Sequence, residues 1–331
     1  MVARSGRAGA SRVAIAVALL VLAALLAARA DAAPRCFGAA SRDPQHRCVN
    51  PRLARLVEPT PDQALLNPNF SCTPEKISED LTACRFGAAA AHARATVALI
   101  GDSHAQHWRS ALAVVAKRRQ WRVYDLSVPL CMFSTATTGA EPPFDGFCPR
   151  WNADVLGFLA SHPEIQTIFT AGKARQFVKP APGQTAYQAR VEGYKSRWAT
   201  LPPSVRNVIV IRDDPDEDVT TKDCVRRAMD RHRPLTHACR VPRERALHPD
   251  PALAAARAVG VHAIDLTRQF CDARWCYPVI GGALVHKDAD HLTQVFARTL
   301  GPFLDRAYGA LTISSTPAPT VTSVEVTAGS E

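Results

Sequence analysis

Apolar and polar residues follow two different patterns along this chain, and the pattern changes near residue 96. From there onward, short uninterrupted apolar runs alternate with stretches in which apolar residues recur at helical spacing. The runs predict strands at residues 97–100, 121–126, 167–171, 205–211 and 261–266, and the spacing predicts helices at residues 105–119, 150–160, 186–200, 251–259 and 291–308. Continuous apolar strands separated by helices favour a parallel sheet covered on both faces. The predicted fold class is therefore α/β, a three-layer α/β/α sandwich with a parallel sheet.

Residues 1–32 have the layout of an export signal. Arg4, Arg7 and Arg12 precede an apolar run at residues 13–28, and small residues follow it at the spacing that signal cleavage requires. The same run is compatible with a single-span anchor, although a span needs roughly 20 apolar residues. Basic residues that precede an apolar run stay inside the cell in either case. We therefore expect the rest of the chain to be secreted or extracytoplasmic, either released or anchored to the membrane by this segment.

The ten cysteines indicate a disulfide framework. Their number is even, and an exported chain meets an oxidising compartment in which thiols form disulfides. Zinc is the alternative, but the sequence has no CxxC pair and no Cys–His cluster at ligand spacing. Pairing each cysteine with its neighbour along the chain gives the bonds Cys36–Cys48, Cys72–Cys84, Cys131–Cys148, Cys224–Cys239 and Cys271–Cys276.

The composition divides the rest of the chain into three regions. Residues 33–95 are rich in Pro, Asn, Asp and Cys and lack long periodic runs, which predicts a loop-rich, Cys-rich collar. Residues 96–310 carry the α/β pattern. Residues 311–331 are rich in Ser, Thr, Pro and Ala without a core pattern, which predicts a disordered tail.

The formal net charge of +10 is compatible with binding to an anionic surface such as a cell-wall polymer. It is equally compatible with a role in solubility alone. Residues 223–245 hold seven arginines and predict either a lid that faces an anionic polymer or a solvated insertion. The stretch has no interleaved aromatic residues for stacking on bases, so we expect no nucleic-acid partner.

Trp275, in the short Cys271–Cys276 loop, is the candidate for stacking on a sugar. Core positions are expected for Trp108, Trp151 and Trp198.

Candidate chemistry appears where the first predicted strand ends. The strand at 97–100 is followed by Gly-Asp-Ser-His and then by a predicted helix, which places Ser103 at the carboxyl edge of the sheet. Ligands of open parallel sheets bind at that edge. Unpaired backbone N–H groups at the helix start could also stabilise an oxyanion during acyl transfer. The alternative is that Ser103 or Asp102 only caps the helix.

A serine nucleophile needs a base, and the base needs an orienting group. The stretch "HKDADHLTQVF" at residues 286–296 supplies both, because Asp288 lies three residues before His291. His291 would accept the Ser103 proton, and Asp288 would fix the tautomer of the imidazole. Asp102 and His104 could instead be metal ligands, but the further Asp, Asn and His clusters of a metallophosphoesterase are missing. No metal or cofactor is expected.

Together these motifs resemble the SGNH hydrolase superfamily, also called GDSL-like. The nearer resemblance is to the SGNH domains of bacterial membrane acyltransferases that O-acetylate surface polysaccharides. It is carried by "LIGDSHAQHW", "VIVIRDDPDEDVTTKDC", "IDLTRQFCDARWC" and "VIGGALVHKDADHLT", and it covers about residues 96–306. The resemblance implies a flavodoxin-like sandwich in which Ser103 is the nucleophile, His291 the base and Asp288 its partner.

The sequence departs from that superfamily in two respects. The superfamily has an oxyanion-hole Gly after its second strand and a Gly-x-Asn-Asp motif after its third, where this chain has "YDLSVPLC" and "TAGKARQF". Only the Ser103 N–H is therefore assigned to the oxyanion hole, with a backbone role left for Gly172. The sequence also has a single apolar segment, so a transferase would need a separate membrane acyl-donating protein.

The functional prediction is an exported acyl-transfer enzyme that acts on carbohydrate O-acetyl or other O-acyl esters through an acyl-serine intermediate. It would be an O-acetyltransferase or an esterase, and its substrate would be a cell-surface or cell-wall carbohydrate. The alternative is a non-catalytic polysaccharide-binding or scaffold protein of the cell surface, which the incomplete oxyanion hole favours.

Overall fold

The computed structural model describes residues 34–66, 70–235 and 237–311. The predicted signal peptide or anchor at residues 1–32 and the predicted tail from residue 312 onward lie outside the described residues. The α-helices are α1 Pro61–Leu66, α2 Ser103–Gln106, α3 Arg109–Arg119, α4 Phe144–Ser161, α5 Ala186–Ala199, α6 Thr221–Asp230, α7 Arg243–Ala246, α8 Pro251–Val259, α9 Thr267–Phe270 and α10 Gln294–Gly309. The strands are β1 Thr73–Lys76, β2 Thr82–Gly87, β3 Ala95–Gly101, β4 Trp121–Asp125, β5 Ile165–Ala171, β6 Asn207–Ile211, β7 Val241–Pro242, β8 His262–Ile264, β9 Trp275–Cys276, β10 Val279–Ile280 and β11 Ala283–Leu284. Within the described ranges, no helix combines the length and the apolar character that crossing a membrane requires.

Seven strands form the central sheet, in the order β1-β2-β4-β3-β5-β6-β8. The five strands from β4 to β8 pair in parallel, while β1 and β2 pair antiparallel at one edge. The chain passes from β3 to β4 on one side and then crosses to β5 on the other, so the strand order reverses beside β3. This is the flavodoxin-like order, whose ligands bind at the carboxyl ends of the strands at the reversal. The predicted three-layer α/β sandwich is confirmed.

Helices cover both faces of the sheet. On one face α3 packs against α10 so closely that a Cβ on Gly301 would lie 2.5 Å from Cβ of Val114. On the other face α4 packs on the sheet through Trp151, and α5 packs against α8. Trp108, Trp151 and Trp198 are buried, which confirms the core positions expected for them.

The collar contains more regular structure than its sequence predicted. β1 and β2 form a hairpin that extends the sheet antiparallel to β4. The apolar pattern does not predict this hairpin. The β1 sequence, Thr-Pro-Glu-Lys, is polar and almost wholly exposed at the sheet edge, where no buried face requires apolar and polar residues to alternate. All five predicted disulfides are present, and Cys72–Cys84 joins the residue before β1 to β2.

The Arg-rich segment is folded onto the collar. Its helix α6 buries Val225 and Ala228 in a small core that also contains Val57 and Ala64. On the outer side of α6, Arg226 pairs with Asp62 and Asp223. This part of the predicted insertion therefore packs on the body of the protein.

Candidate active site

The turn that carries Ser103 is built by glycine and aspartate. Gly101 ends β3 with a φ of +150°, and a Cβ there would lie 1.9 Å from the carbonyl oxygen of Ala171. The buried Asp102 then caps α2, since its carboxylate accepts the His104 N–H at 2.8 Å. Its other oxygen accepts the Lys173 N–H at 2.9 Å. Asp102 thus supplies the helix cap and ties the ends of β3 and β5 together, which leaves the Ser103 hydroxyl for other contacts.

The three predicted site residues meet at this turn. The Nε2 atom of His291 lies 2.8 Å from Oγ of Ser103. On the other side of the ring, Nδ1 of His291 lies 2.9 Å from Oδ1 of Asp288. The same Asp288 oxygen accepts the backbone N–H of His291 at 2.8 Å. The carboxylate therefore holds both the backbone and the imidazole of His291, with the hydrogen-bonding pattern of a serine–histidine–aspartate triad.

A second carboxylate, which the sequence analysis did not predict, also faces His291. Oδ1 of Asp290 lies 3.0 Å from Nδ1 of His291, and its other oxygen pairs with the ammonium group of Lys173. Asp290 is largely buried, with 19% of its side chain exposed. The signal for it was present in the sequence, because Asp290 directly precedes His291 in "DADH".

The two carboxylates determine the protonation of His291. The hydrogen bond to Asp288 has the largest effect on the pKa of His291, and the hydrogen bond to Asp290 has the second largest. Together they raise this pKa to about 9, against the opposing effect of burial. Burial raises the pKa of Asp288, but the hydrogen bond from His291, the charge of that imidazole and two backbone hydrogen bonds together outweigh burial and bring the pKa below its usual value. The His104 ring, 5.1 Å from the His291 ring between centroids, carries positive charge that opposes protonation of His291. The neutral form of His291 that can accept a proton therefore increases as the pH rises towards 9.

Behind Ser103 and His291 lies a buried chain of histidines and aspartates. Its two aspartates, Asp213 and Asp214, come two and three residues after the end of β6. Nδ1 of His104 lies 2.6 Å from Asp213, whose other oxygen accepts the Ala174 N–H at 2.7 Å. Asp214 lies between His107, at 3.0 Å, and His286, at 2.9 Å. These acids link the end of β6 to α2 and to the segment after β5. Sequence reasoning missed them, although acids placed shortly after a buried strand are a usable signal.

We expect the substitution His286→Ala to destabilise the fold by about 3 kcal/mol, because it leaves the buried carboxylates of Asp214 and Glu217 without this partner. Burial lowers the pKa of His286, but Glu217 and Asp214 outweigh it and raise that pKa to about 10. Since the folded-state pKa is the higher one, the stabilisation is fully present below about pH 6.5 and is lost as the pH rises towards 10. Urea unfolding at pH 6 measures the effect. The exposed His92 provides the control, as His92→Ala should change the free energy of unfolding by less than about 0.5 kcal/mol.

Two groups of side chains bring metal-ligand atoms within 4.8 Å of one another among the described residues, and His104 belongs to both. In the first, with His107 and Asp214, Nδ1 of His107 accepts the Leu292 N–H at 3.2 Å. The proton of a neutral His107 therefore sits on Nε2, which faces Asp214 and has no free lone pair for a metal. In the second, with Asp290 and His291, both ring nitrogens of His291 already face protein partners. The donor sets fit hydrogen bonding better than metal binding.

The candidate donors for an oxyanion are backbone N–H groups near Ser103. The amides of Lys173 and Ala174, which follow β5, are bonded to the carboxylates of Asp102 and Asp213. Ser103 is the first residue of α2, so its N–H has no acceptor within the helix. Gly172 is needed for space, since a Cβ there would lie 2.7 Å from the Tyr194 hydroxyl oxygen. The Ser103 N–H, which the sequence assigns to the oxyanion hole, therefore remains the candidate donor.

Comparison with known proteins shows the family to which this chain belongs. A family model described as an SGNH domain fused to AT3 domains matches residues 71–306, more than half of the chain, and the chain belongs to this family. The resemblance drawn from the motifs is confirmed, and the match also includes the β1–β2 hairpin of the collar. The fold is similar to that of the periplasmic domain of a lipopolysaccharide acetyltransferase from Salmonella ser. Paratyphi A. That comparison gives a TM-score of 0.50 and 11% identity over 64% of this chain and 84% of the other.

A second solved structure is similar over much of its length but less closely. It is LAE5, an α/β hydrolase from the metagenome of Lake Arreo, Spain, with a TM-score of 0.39 and 15% identity. The match covers 66% of this chain and 96% of that one. A search of curated proteins finds no match to this sequence.

Proposed function

We propose that this chain is an exported acyl-transfer enzyme that acts on carbohydrate O-acyl esters through an acyl-Ser103 intermediate. The observation that carries the proposal is the continuous line of hydrogen-bonding contacts from Ser103 through His291 to Asp288, at the carboxyl edge of an SGNH sheet. A serine with its base at 2.8 Å and the base with its orienting carboxylate at 2.9 Å is the arrangement that nucleophilic catalysis requires.

In the first half of the reaction, Oγ of Ser103 attacks the carbonyl carbon of the ester while Nε2 of His291 takes the hydroxyl proton. The developing oxyanion accepts the Ser103 N–H. The bond from the acyl carbon to the alcohol oxygen then breaks, and His291 returns the proton to that oxygen as the alcohol leaves. Asp288 and Asp290 stabilise the imidazolium that exists between the two proton transfers.

In the second half, neutral His291 takes a proton from the incoming nucleophile, which attacks the acyl-Ser103 carbonyl. Water as the nucleophile gives a free acid and makes the protein an esterase. A sugar hydroxyl gives a new ester and makes it a transferase. The outcome depends on how well the site excludes water and binds the acceptor.

The proposed substrate is an O-acetylated carbohydrate of the cell surface or cell wall. The family, and the likeness of the fold to the periplasmic domain of a lipopolysaccharide acetyltransferase, support this choice. The proposed location is extracytoplasmic, supported by the predicted export segment at residues 1–32 and by five disulfides. As a transferase the protein would receive its acyl group from a separate membrane acyl-donating protein.

The proposal is tested by incubating the purified, oxidised protein with 4-nitrophenyl acetate, alone and with oligosaccharide acceptors. Acetate release supports the esterase form, and acetylated oligosaccharide supports the transferase form. Activity that EDTA abolishes would favour a metal-dependent enzyme and contradict the proposal. Glycan binding without turnover of any ester would favour the non-catalytic polysaccharide-binding protein, which the limited set of oxyanion donors also supports.

We expect the pH profile to report His291 directly. Because Asp288 and Asp290 raise its pKa to about 9, kcat/KM for 4-nitrophenyl acetate should rise with pH and reach half its maximum near pH 9. Replacing one negative partner, in Asp290→Asn, should move that midpoint to lower pH. A midpoint near the ordinary histidine value of about 6.5 in the unmodified protein would contradict the double-carboxylate geometry.

A further inference from the structure

Phe177 is a large, solvent-exposed aromatic side chain on the loop that follows the carboxyl end of β5. It lies in the segment 172–179, here called the β5 loop, and 66% of it is exposed. Single exposed apolar residues are common on proteins and by themselves need no explanation. What sets Phe177 apart is that its backbone is tightly held and that its loop begins at the carboxyl end of β5, where the candidate active site lies.

The backbone around Phe177 is fixed by hydrogen bonds to its surroundings. Its carbonyl oxygen accepts the Gly139 N–H at 3.0 Å, and the Lys179 N–H bonds to Thr137 at 2.9 Å. The ring lies against Gly139 so closely that a Cβ on that glycine would be 2.1 Å from a ring carbon. The buried side chain of Gln176 donates to the carbonyl oxygen of Leu130 at 3.1 Å. The ring is therefore presented on a well-anchored loop, so little conformational entropy would be lost when a ligand packs on it.

The same loop is tied to the Ser103 turn. Its Lys173 and Ala174 amides bond to Asp102 and Asp213, the acids that hold α2 in place. The segment 126–139, here called the β4 loop, is tied to the same turn, because the Val128 N–H bonds to the carbonyl oxygen of Gly101 at 3.0 Å. Since β3 lies between β4 and β5 in the sheet, the two loops flank Ser103 and meet at Leu130 and Gln176.

We infer that Phe177 is a stacking platform for a pyranose ring of the carbohydrate substrate. The inference rests on the proposed function and adds a specificity-determining residue to it. One face of a pyranose is a patch of C–H groups comparable in size to one phenyl ring, and Thr137 and Lys179 lie beside Phe177 as partners for the sugar hydroxyls. Trp275, the candidate from the sequence, is less suited, because the Arg240 guanidinium lies 4.1 Å from its ring centroid and covers one face.

The size of the patch argues against a macromolecular partner. Besides Phe177, the other large apolar residue exposed on the two loops is Leu130, at 42%. A specific protein–protein interface buries about 800 Å² on each partner, far more than these two side chains provide. A single sugar ring is the ligand that a single anchored phenyl ring matches.

The test compares Phe177→Ala with Phe177→Trp in the oxidised protein. The probes are 4-nitrophenyl acetate and an O-acetylated hexose oligosaccharide. For Phe177→Ala, kcat/KM for the oligosaccharide relative to that for 4-nitrophenyl acetate should fall about tenfold, through a higher KM with little change in kcat. Phe177→Trp should retain the ratio. Val259→Ala is the control, since Val259 is exposed on the last turn of α8 at the opposite edge of the sheet.

Binding of the oligosaccharide to the Ser103→Ala variant gives a readout that needs no turnover. Calorimetry should show an approximately tenfold weaker Kd when Phe177→Ala is added, and recovery with Phe177→Trp. Unchanged binding and an unchanged ratio would overturn the inference while leaving the serine chemistry standing. Loss of binding to anionic lipid vesicles with unchanged sugar binding would also overturn it and assign Phe177 to a membrane contact. Phe177-dependent binding without any ester turnover would instead refute the proposed function and keep the sugar site.

Discussion

The substitution Ser103→Ala is expected to lower kcat for acetyl-ester hydrolysis by about 10⁴-fold, and His291→Ala by a similar factor. Each removes one member of a pair joined at 2.8 Å, so neither variant can form the acyl-serine with assisted proton transfer. The double variant should lose little more than either single one, because residues that act as one unit are not additive. Stopped or continuous assays with 4-nitrophenyl acetate near pH 9 measure the effect.

The matched control is Ser196→Ala. Ser196 is an exposed serine of α5 and should tolerate the change without loss of rate. Thermal unfolding of all variants would verify that the loss at Ser103 is not a folding defect. A Ser103→Ala variant that is folded and retains a tenth or more of the wild-type rate would show that Ser103 is not the nucleophile.

The second large effect concerns the two carboxylates on His291. Asp288→Asn should lower kcat by about 10²- to 10³-fold, because the orienting acceptor at Nδ1 is replaced by an amide. The loss should be smaller than for a triad with a single acid, since Asp290 still faces Nδ1 at 3.0 Å. Asp290→Asn should lower kcat by less than about tenfold, and the double variant should approach the loss caused by His291→Ala.

Comparing the kcat losses of the two single variants with that of the double variant distinguishes a His291 supported by both carboxylates from one in which Asp290 is only structural. If Asp288→Asn alone is as inactive as His291→Ala, Asp290 gives no support to the imidazole. If Asp290→Asn is the more damaging of the two, the roles of the acids are exchanged. The variant Asp305→Asn is a control of similar chemistry, because Asp305 lies on α10 and pairs with Arg119 of α3 and not with His291.

Much of the fold followed from the pattern of apolar residues. The parallel strands are rich in apolar residues because both faces of the sheet are covered, and that signal is local. The Gly-Asp-Ser-His turn was likewise readable, since a glycine between a buried strand and a helix marks a tight turn at the carboxyl edge. Asp288 and His291 were found because the acid and the base lie within one short segment.

Features that depend on contacts between distant segments were not readable. Asp213 holds His104 and Ala174, which lie in two other segments, so its role appears only when the sheet is assembled. The β1 strand has a polar edge sequence without a buried face, and its pairing is set by β2. Phe177 follows a predicted strand, and nothing in the sequence distinguishes an exposed phenylalanine there from a buried one.

The central claim, an activated Ser103, is tested most directly by labelling the purified, oxidised protein with a fluorophosphonate probe. The serine oxygen displaces fluoride from phosphorus only when a base removes its proton, so the probe reports the Ser103–His291 pair itself. We expect labelling of the wild type at Ser103, faster at pH 9 than at pH 7, and none in Ser103→Ala or His291→Ala. Absence of labelling in folded wild-type protein at both pH values would contradict the account and leave the Ser103 turn with a structural role only.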